Sequence, residues 1–198
     1  MSSLKGNICV FTGSRPGRRS DYANVARQFG RELVDRGYGL VYGGGNVGLM
    51  TVVADTVLEC QGHVTGVIPE TLVEKEVVHR GLSDLRIVHS MHERKAMMAE
   101  LSDAFIAMPG GFGTLEEMME TITWGQLGIH QKPVGLLNVA GYYDPLLAMI
   151  DRAIEEGFIL PRYRNLFVAS SGVDELFDLM RKFQPLEGVV KWIEMSET

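Results

Sequence analysis

The feature that most constrains this chain is the regular alternation of short apolar runs with longer helical patterns. Seven runs have the length and apolar content of buried strands, namely residues 7–12, 39–42, 63–68, 85–88, 104–108, 133–137 and 166–169. Longer segments, including 21–36, 144–156 and 173–183, read as helices between or after them. This alternation is typical of βαβ units around a parallel sheet. The sequence therefore predicts an α/β fold in a single domain over residues 1–198, with its core at about 7–183.

Composition excludes several classes of partner. The chain has 198 residues, a formal net charge of −6 and a pI near 5.4. Because Lys and Arg form no dense run, we expect no binding to nucleic acid and none to a membrane surface. No apolar stretch is long enough for a membrane span, and the first residues do not resemble a signal peptide. The two cysteines, Cys9 and Cys60, suggest a reducing compartment, and we expect a cytoplasmic protein.

The most informative stretch is residues 108–117, which reads M-P-G-G-F-G-T-L-E-E. An apolar strand leads into it, and Pro109 ends that strand. Gly110, Gly111 and Gly113 then let the backbone approach a ligand closely, most naturally a phosphate. The T-x-x-E spacing of Thr114 and the glutamate three residues later predicts a capping box, with a helix that begins at the threonine. A glycine loop thus opens onto a helix N-terminus.

Polar or glycine-rich segments follow five predicted strands. Right-handed crossovers bring all of these segments to the carboxyl edge of one sheet, where open α/β sheets bind ligands. We therefore expect one crevice there. Its expected lining residues are Ser14, Gly43, Gly44, Gly45, Glu70, Arg94 and the segment 110–117.

The glycines after the second strand admit two interpretations. Gly43, Gly45 and Gly48 have the G-x-G-x-x-G spacing of a dinucleotide fingerprint, with Glu70 as an acidic ribose partner. That fingerprint normally follows the first strand, however, so a tight turn or a mononucleotide contact is favoured here. The chain contains no G-x-x-x-x-G-K-[ST] sequence, which argues against a P-loop NTPase.

Two charged residues each have a structural and a functional interpretation. Arg94 shares a helical face with Met97, Met98 and Leu101, so it either needs a buried partner or extends its head to water. Glu117 is either the second member of the capping box or a catalytic carboxylate, and the spacing alone does not decide between them. His89 and His92 lack a third ligand, so no metal site is predicted.

Methionines cluster on two predicted helices, as Met97 with Met98 and as Met118 with Met119. They are interpreted as core or subunit-interface residues rather than as part of a cofactor site. Because the two helices carry more apolar surface than one sheet face needs, we expect part of it to form a two-fold interface in a homodimer.

The motifs closely resemble those of a known family. Residues 109–117 match the P-G-G-x-G-T-x-x-E signature of the LONELY GUY (LOG) family, the cytokinin riboside 5′-monophosphate phosphoribohydrolases. The segments 43–50, 91–95 and 123–138 are similar to further motifs of that family. The resemblance covers about residues 7–183. Thr12, Arg15 and Thr51 depart from the residues common in the family.

This resemblance implies a Rossmann-like doubly wound sheet and a homodimer. It also implies hydrolysis of the N-glycosidic bond of a nucleoside 5′-monophosphate to free base and ribose 5-phosphate, without a cofactor or a metal. The family's catalytic pair falls on Arg94 and Glu117. Taken with the convergence at the sheet edge, the expected substrate-binding residues are Ser14, Gly43, Gly44, Gly45, Glu70, Met91, Lys95, Gly110, Gly111, Gly113, Thr114, Glu116 and Thr123.

The chemistry expected of these residues follows from the reaction. Breaking an N-glycosidic bond builds positive charge on the ribose, which a carboxylate at Glu117 stabilises while it activates water. Arg94 is expected to position the ribose and phosphate and to keep Glu117 ionised.

Two other activities remain as alternatives. Similar sequences have been labelled lysine decarboxylases, but a pyridoxal enzyme needs a Schiff-base lysine, and Lys95 is poorly suited to that role. A non-catalytic carrier of a nucleotide-like cofactor, of the molybdenum-cofactor carrier type, shares the fold and is the main alternative function.

Overall fold

A computed structural model describes residues 5–73 and 78–186, and it contains one seven-stranded parallel sheet. The strands are β1 (Gly6–Phe11), β2 (Tyr38–Tyr42), β3 (Val64–Pro69), β4 (Asp84–Val88), β5 (Ala104–Ala107), β6 (Val134–Leu137) and β7 (Val168–Ser170). Their order across the sheet is β4-β3-β2-β1-β5-β6-β7. The strand order reverses direction between β1 and β5. The predicted α/β, Rossmann-like doubly wound sheet is therefore confirmed.

Helices cover both faces of the sheet. They are α1 (Ser20–Asp35), α2 (Gly48–Glu59), the short α3 (Glu70–Val73), α4 (Met91–Glu100), α5 (Phe112–Gln126), α6 (Asp144–Glu155) and α7 (Val173–Arg181). One apolar core lies under α1, α2 and α7, and a second lies under α4, α5 and α6. Strand residues alternate between the two cores, as in β1, where Val10 faces the first and Cys9 the second.

The predicted elements agree with the structure to within a few residues, with two exceptions. The first exception is the stretch 71–83, for which the sequence predicts no regular element: α3 occupies its start, and Val78 forms an isolated bridge with Gly45. Residues 74–77 within it lie outside the described part. The second exception is the start of α5, which determines how Glu117 is interpreted.

The predicted capping box at Thr114 and Glu117 is wrong. Helix α5 begins at Phe112, and Gly111 is its N-cap residue, so Thr114 already lies inside the first turn. No side chain caps this helix end. The S-x-x-E spacing of Ser90 and Glu93 likewise predicts a capping box, at α4, and this one is confirmed, because the Ser90 hydroxyl accepts a hydrogen bond from the Glu93 amide at 3.1 Å. The spacing of Glu117 therefore has no explanation as a cap.

Within residues 5–73 and 78–186, no helix is both long enough and apolar enough to span a membrane.

Candidate functional site

A cavity of about 370 Å³ opens at the carboxyl ends of β1 and β5, where the strand order reverses. Parallel sheets leave a crevice at such a point because the loops after the two strands diverge to opposite faces. The first loop contributes Ser14 and Arg15, and the second contributes Gly110 and Gly111. The remaining lining residues are Gly13, Pro16, Gly17, Tyr22, Leu49, Pro109 and Tyr142.

Backbone hydrogen bonds fix the two loops against each other. The Gly13 amide donates to the Pro109 carbonyl at 3.1 Å, and the Leu49 amide donates to the Gly13 carbonyl at 3.0 Å. Gly48 has a φ of +59°, and a Cβ there would lie 2.3 Å from the carbonyl carbon of Ser14. The last glycine of the 43–48 motif thus allows the start of α2 to pack against the first loop, which is a structural role.

The second loop leads directly into the N-terminus of α5. The first amides of a helix have no acceptor within the helix, so they and the helix dipole favour an anion. Gly110 is required by packing, because a Cβ there would lie 2.0 Å from the Thr114 hydroxyl oxygen and 2.9 Å from the Gly13 nitrogen. A Cβ at Gly111 or Gly113 would meet nothing within 4 Å, so these two positions are open.

Arg94 is buried, with 8% of its surface exposed, and its partners are backbone carbonyls. Its Nε donates to the Val67 carbonyl at 3.1 Å and its Nη2 to the Gly43 carbonyl at 3.1 Å, which joins the ends of β3 and β2. Met91 contributes its sulfur, 3.8 Å from Nη1. The expectation that a buried charge at this position has partners is confirmed, and the solvent-reaching alternative is wrong.

Glu117 projects from α5 into a narrow cleft between α4 and α5. The cleft is lined by Phe11, Lys95, Ala99, Phe105, Glu120, Thr121 and Trp124. Burial raises the pKa of Glu117 to about 7, the charge of Arg94 opposes this rise, and the charge of Glu116 adds to it. Arg94 therefore favours the ionised carboxylate as expected, but burial outweighs it. A carboxyl group with this pKa exchanges its proton near neutral pH.

Lys95 bridges α4 and α5 on the same side of the sheet. Its Nζ lies 2.7 Å from a carboxylate oxygen of Glu116 and 2.8 Å from one of Glu120. Burial alone would lower the pKa of Lys95, but the two carboxylates outweigh it and raise the pKa. A lysine held protonated in this way is a poor nucleophile, so it does not fit the Schiff-base position of a pyridoxal enzyme. Lys132 has a pKa lowered by burial, but it precedes β6 and so lies at the opposite edge of the sheet.

Glu70 and Gly44 also lie at the carboxyl edge of the sheet but outside the cavity, whereas Thr123 lies near the end of α5. Glu70 follows β3 directly and lies 3.3 Å from the ring of His89 at the end of β4. Gly44 accepts a hydrogen bond from the His79 amide at 3.3 Å, which ties the glycine motif to the segment after α3. Thr123 is exposed on α5, and its hydroxyl donates to the Met119 carbonyl.

The structure thus divides the predicted residues between the cavity, the cleft and the ends of β2 and β3. Ser14, Gly110 and Gly111 line the cavity, whereas Glu117 and Lys95 line the cleft together with Glu120, which the sequence did not indicate. Arg94 and Gly43 lie together at the ends of β2 and β3. The dinucleotide interpretation of the 43–48 motif loses support, because the motif follows β2 rather than a strand at the reversal point.

Tyr22 and Tyr142 also line the cavity, although no sequence motif indicates them. Tyr22 lies near the start of α1, and Tyr142 follows β6, more than 100 residues further along the chain. No motif spacing connects them, although the tandem Tyr142 and Tyr143 in a predicted connection after a strand was a usable signal. The rings of Tyr22 and Tyr142 contact each other edge to face, with centroids 6.1 Å apart.

The methionines are divided between core and surface. Met98 and Met118 are fully buried, whereas Met119 is 38% exposed and Met97 is partly exposed. Within the part of the chain that the structure describes, no group of three or more His, Cys, Asp and Glu residues could hold a metal ion.

The fold and the site define an α/β protein with a ligand cavity at the reversal point of a Rossmann-like sheet. Solved structures support this class. A molybdenum cofactor binding protein from Rippkaea orientalis superposes with a TM-score of 0.68 at 23% identity, covering 91% of this chain and 98% of that one. The molybdenum cofactor carrier protein from Chlamydomonas reinhardtii gives 0.68 at 18% identity, with 90% and 98% covered. At these identities the likeness concerns the fold alone.

Sequence relatives identify the family. A family model described as possible lysine decarboxylase matches residues 50–180. A probable cytokinin riboside 5′-monophosphate phosphoribohydrolase of Oryza sativa subsp. japonica is 54% identical over 179 residues, which are 90% of this chain and 79% of that protein. A cytokinin riboside 5′-monophosphate phosphoribohydrolase of Arabidopsis thaliana is 50% identical over 184 residues, 92% and 81% of the two chains. The chain belongs to this family, the LONELY GUY (LOG) family, as its motifs predicted.

Proposed function

We propose that this protein hydrolyses the N-glycosidic bond of a nucleoside 5′-monophosphate. Water adds to C1′ of the ribose, the bond from C1′ to the base nitrogen breaks, and the proton of the water ends on the base. The products are free base and ribose 5-phosphate. Support comes from relatives at 50–54% identity that are named as phosphoribohydrolases of a cytokinin riboside 5′-monophosphate. AMP and prenylated adenine nucleotides are the substrates to test.

The observation that carries the proposal is the environment of Glu117. Its carboxyl group is partly buried among apolar and charged side chains. Burial raises its pKa to about 7, and the charge of Arg94 opposes this rise. Because the helix starts five residues earlier, the residue is not needed as a cap. In its ionised form the carboxylate would stabilise the positive charge that develops on the ribose and would accept a proton from the attacking water.

The remaining residues would bind the nucleotide. We assign the 5′-phosphate to the amides after Gly110 and to the N-terminus of α5, with Ser14 on the opposite wall of the cavity. Arg94 would hold the ends of β2 and β3 in place and position the substrate. Lys95 and Glu116 would fix α4 against α5, and Glu70 would contact the ribose or the base. Gly43, Gly44, Gly45, Met91, Gly113, Thr114 and Thr123 complete the proposed substrate site.

The protein is further proposed to be a cytoplasmic homodimer. The partly exposed methionines Met91, Met97 and Met119 all lie on α4 and α5, where a second copy would cover them. Cys9 and Cys60 are both free, in keeping with a reducing compartment.

A product assay tests the proposed activity. AMP is incubated with the protein, and adenine, adenosine, ribose 5-phosphate and inorganic phosphate are separated by chromatography. We expect adenine and ribose 5-phosphate in equal amounts. Adenosine with phosphate would indicate a phosphatase instead. Unchanged AMP at high protein concentration would favour the carrier alternative, which at present has only the likeness of fold in its support.

Adenosine serves as the matched substrate, because it lacks only the phosphate. If the cavity binds the 5′-phosphate, kcat/KM for adenosine should be at least about a hundredfold lower than for AMP, since binding energy from the phosphate is lost. Equal efficiencies would show that the cavity has been assigned the wrong part of the substrate.

A further inference from the structure

Tyr142 makes a polar contact with the second loop. Its hydroxyl donates a hydrogen bond to the carbonyl of Gly110. Tyr142 is 37% exposed and lines the cavity. The Gly110 carbonyl belongs to the peptide whose nitrogen is that of Gly111, so the orientation of this peptide also sets the direction of the Gly111 amide. The tyrosine thus holds the peptide that carries one of the proposed phosphate-binding amides.

The turn that contains Tyr142 has a specific conformation, which places the tyrosine beside Gly110. Ala140 has a φ of +53°, a left-handed conformation that is unfavourable for a residue other than glycine. Asn138 secures the turn, because its side chain accepts from the Tyr143 amide at 2.6 Å and donates to Asp144 at 2.7 Å. The neighbouring Tyr143 points inward, and its hydroxyl donates to the Met108 carbonyl at 2.7 Å. Two successive tyrosines therefore hold the residues on either side of Pro109.

Tyr22 connects the same assembly to the first loop. Gly17, at the end of that loop, has a φ of +75°, and a Cβ there would lie 2.6 Å from the Tyr22 ring. The loop therefore packs closely on one side of this ring, while the Tyr142 ring contacts it at a centroid distance of 6.1 Å. The rings of Tyr22 and Tyr142 thus extend across the cavity from one loop to the other, so the position of each loop depends on that of the other.

We propose that Tyr142 is a positioning residue for the 5′-phosphate, acting through the peptide between Gly110 and Gly111, and that its contact with Tyr22 sets the distance between the two loops. This inference rests on the proposed function, because it assigns the phosphate to the cavity. Tyr142 is not assigned any contact with the reacting atoms. Its effect is on the strength of phosphate binding and not on the chemical step.

The test compares Tyr142→Phe with Tyr143→Phe, since each variant removes one hydroxyl that donates to a carbonyl of the same segment. For Tyr142→Phe we expect KM for AMP to rise about fivefold to tenfold with kcat little changed, the size expected for one hydrogen bond. The kcat/KM for adenosine should stay at its wild-type value, so the preference for AMP over adenosine should fall by the same factor. Tyr143→Phe should lower the melting temperature but leave that preference unchanged.

A binding measurement provides a readout that does not depend on turnover. Calorimetry with ribose 5-phosphate should show about fivefold to tenfold weaker binding to Tyr142→Phe than to wild type, and unchanged binding to Tyr143→Phe. In a Tyr22→Leu background, the effect of Tyr142→Phe should become smaller, because the ring that helps to orient Tyr142 is gone.

Three results would overturn the inference. One is an unchanged preference for AMP in Tyr142→Phe. Another is an equal loss of preference in Tyr143→Phe, which would indicate a general effect on the segment. The third is full additivity with Tyr22→Leu, which would contradict the link between the loops. Failure of the proposed function looks different, since the wild-type protein would then release no base from AMP. If the wild type also failed to bind ribose 5-phosphate, both the proposed function and the role of Tyr142 would be wrong.

Discussion

The guanidinium of Arg94 occupies the space that a side chain at Gly43 would need. Its Nη2 lies 3.1 Å from the Gly43 carbonyl oxygen, and a Cβ at position 43 would lie 1.8 Å from the same nitrogen. The glycine after β2 is therefore required by the arginine on α4, and both belong to the proposed substrate site. Gly43 is part of the glycine motif in the sequence, but what requires a glycine there is the buried Arg94 side chain, 51 residues further along the chain.

Gly43→Ala should displace the Arg94 side chain. Because a buried guanidinium that loses its acceptors is costly, we expect the variant to lose about 1–3 kcal/mol of stability and most of its AMP hydrolysis. Thermal unfolding and an adenine-release assay would measure the two effects. Gly125→Ala, within α5, is the matched control, since its added Cβ would have the His130 ring as its nearest neighbour at 3.5 Å, an ordinary van der Waals contact. It should retain full activity, and wild-type activity in Gly43→Ala would disprove the role of this contact.

The placement of Arg94 could be predicted from the sequence, whereas the start of α5 could not. The spacing of Arg94 from Met98 and Leu101 put it on the buried face, and a buried charge must find partners. At α5, the threonine and glutamate have the right spacing for a capping box, but Gly111 extends the helix toward the loop without any side-chain cap. The spacing of the two residues shows which hydrogen bond they could make, but it does not show where the helix begins.

Tyr142 illustrates a second limit of the sequence. Its contact with Gly110 spans 32 residues and depends on a left-handed Ala140, which no propensity favours. The strands themselves were predictable because parallel strands covered on both faces need continuous apolar runs. The glycine loop was likewise predictable from its composition, but the aromatic pair beside it depends on how α1 and the turn after β6 meet.

The raised pKa of Glu117 predicts a specific dependence of stability on pH. A carboxyl whose pKa is about 7 in the folded state, against 4.5 ordinarily, binds more protons when folded than when unfolded. The free energy of unfolding should therefore fall as the pH rises from about 4.5 to about 7, and remain level above that range.

Glu117→Gln removes this titration, so the variant should be more stable than wild type by about 1–3 kcal/mol at pH 8 and by little at pH 4.5. Urea unfolding at both pH values measures the difference. A stability difference that does not change with pH would show that burial does not raise the pKa of this carboxyl.

The same titration should govern the rate. If the ionised carboxylate is the active form, kcat/KM for AMP should rise with pH up to about 7 and then level off, as expected for a catalytic base with that pKa. The residual activity of Glu117→Gln serves as the control, because it retains any titration of the substrate phosphate. A rate that falls as the pH rises through 7 would instead assign the protonated carboxyl as the active form.

The oligomeric state is tested by sedimentation. We expect a dimer at micromolar concentration, in which the exposed parts of Met91 and Met119 are covered. Replacing both residues by Lys should weaken association by at least about tenfold, because charge at an apolar interface is costly to bury. Replacing Met149, which is 65% exposed on α6, by Lys should have no effect and provides the control. A fully active wild-type monomer would contradict the dimer.

The most direct test of the account is the rate of adenine release from AMP by Glu117→Gln at pH 8, measured beside AMP binding and the melting temperature. Glutamine keeps the shape of the side chain but cannot stabilise the ribose cation or accept a proton. The account predicts a fall in turnover of at least about a hundredfold, with AMP bound as tightly as by wild type and a folded protein at the assay temperature. Turnover within a few fold of wild type in this variant would contradict the catalytic role of Glu117.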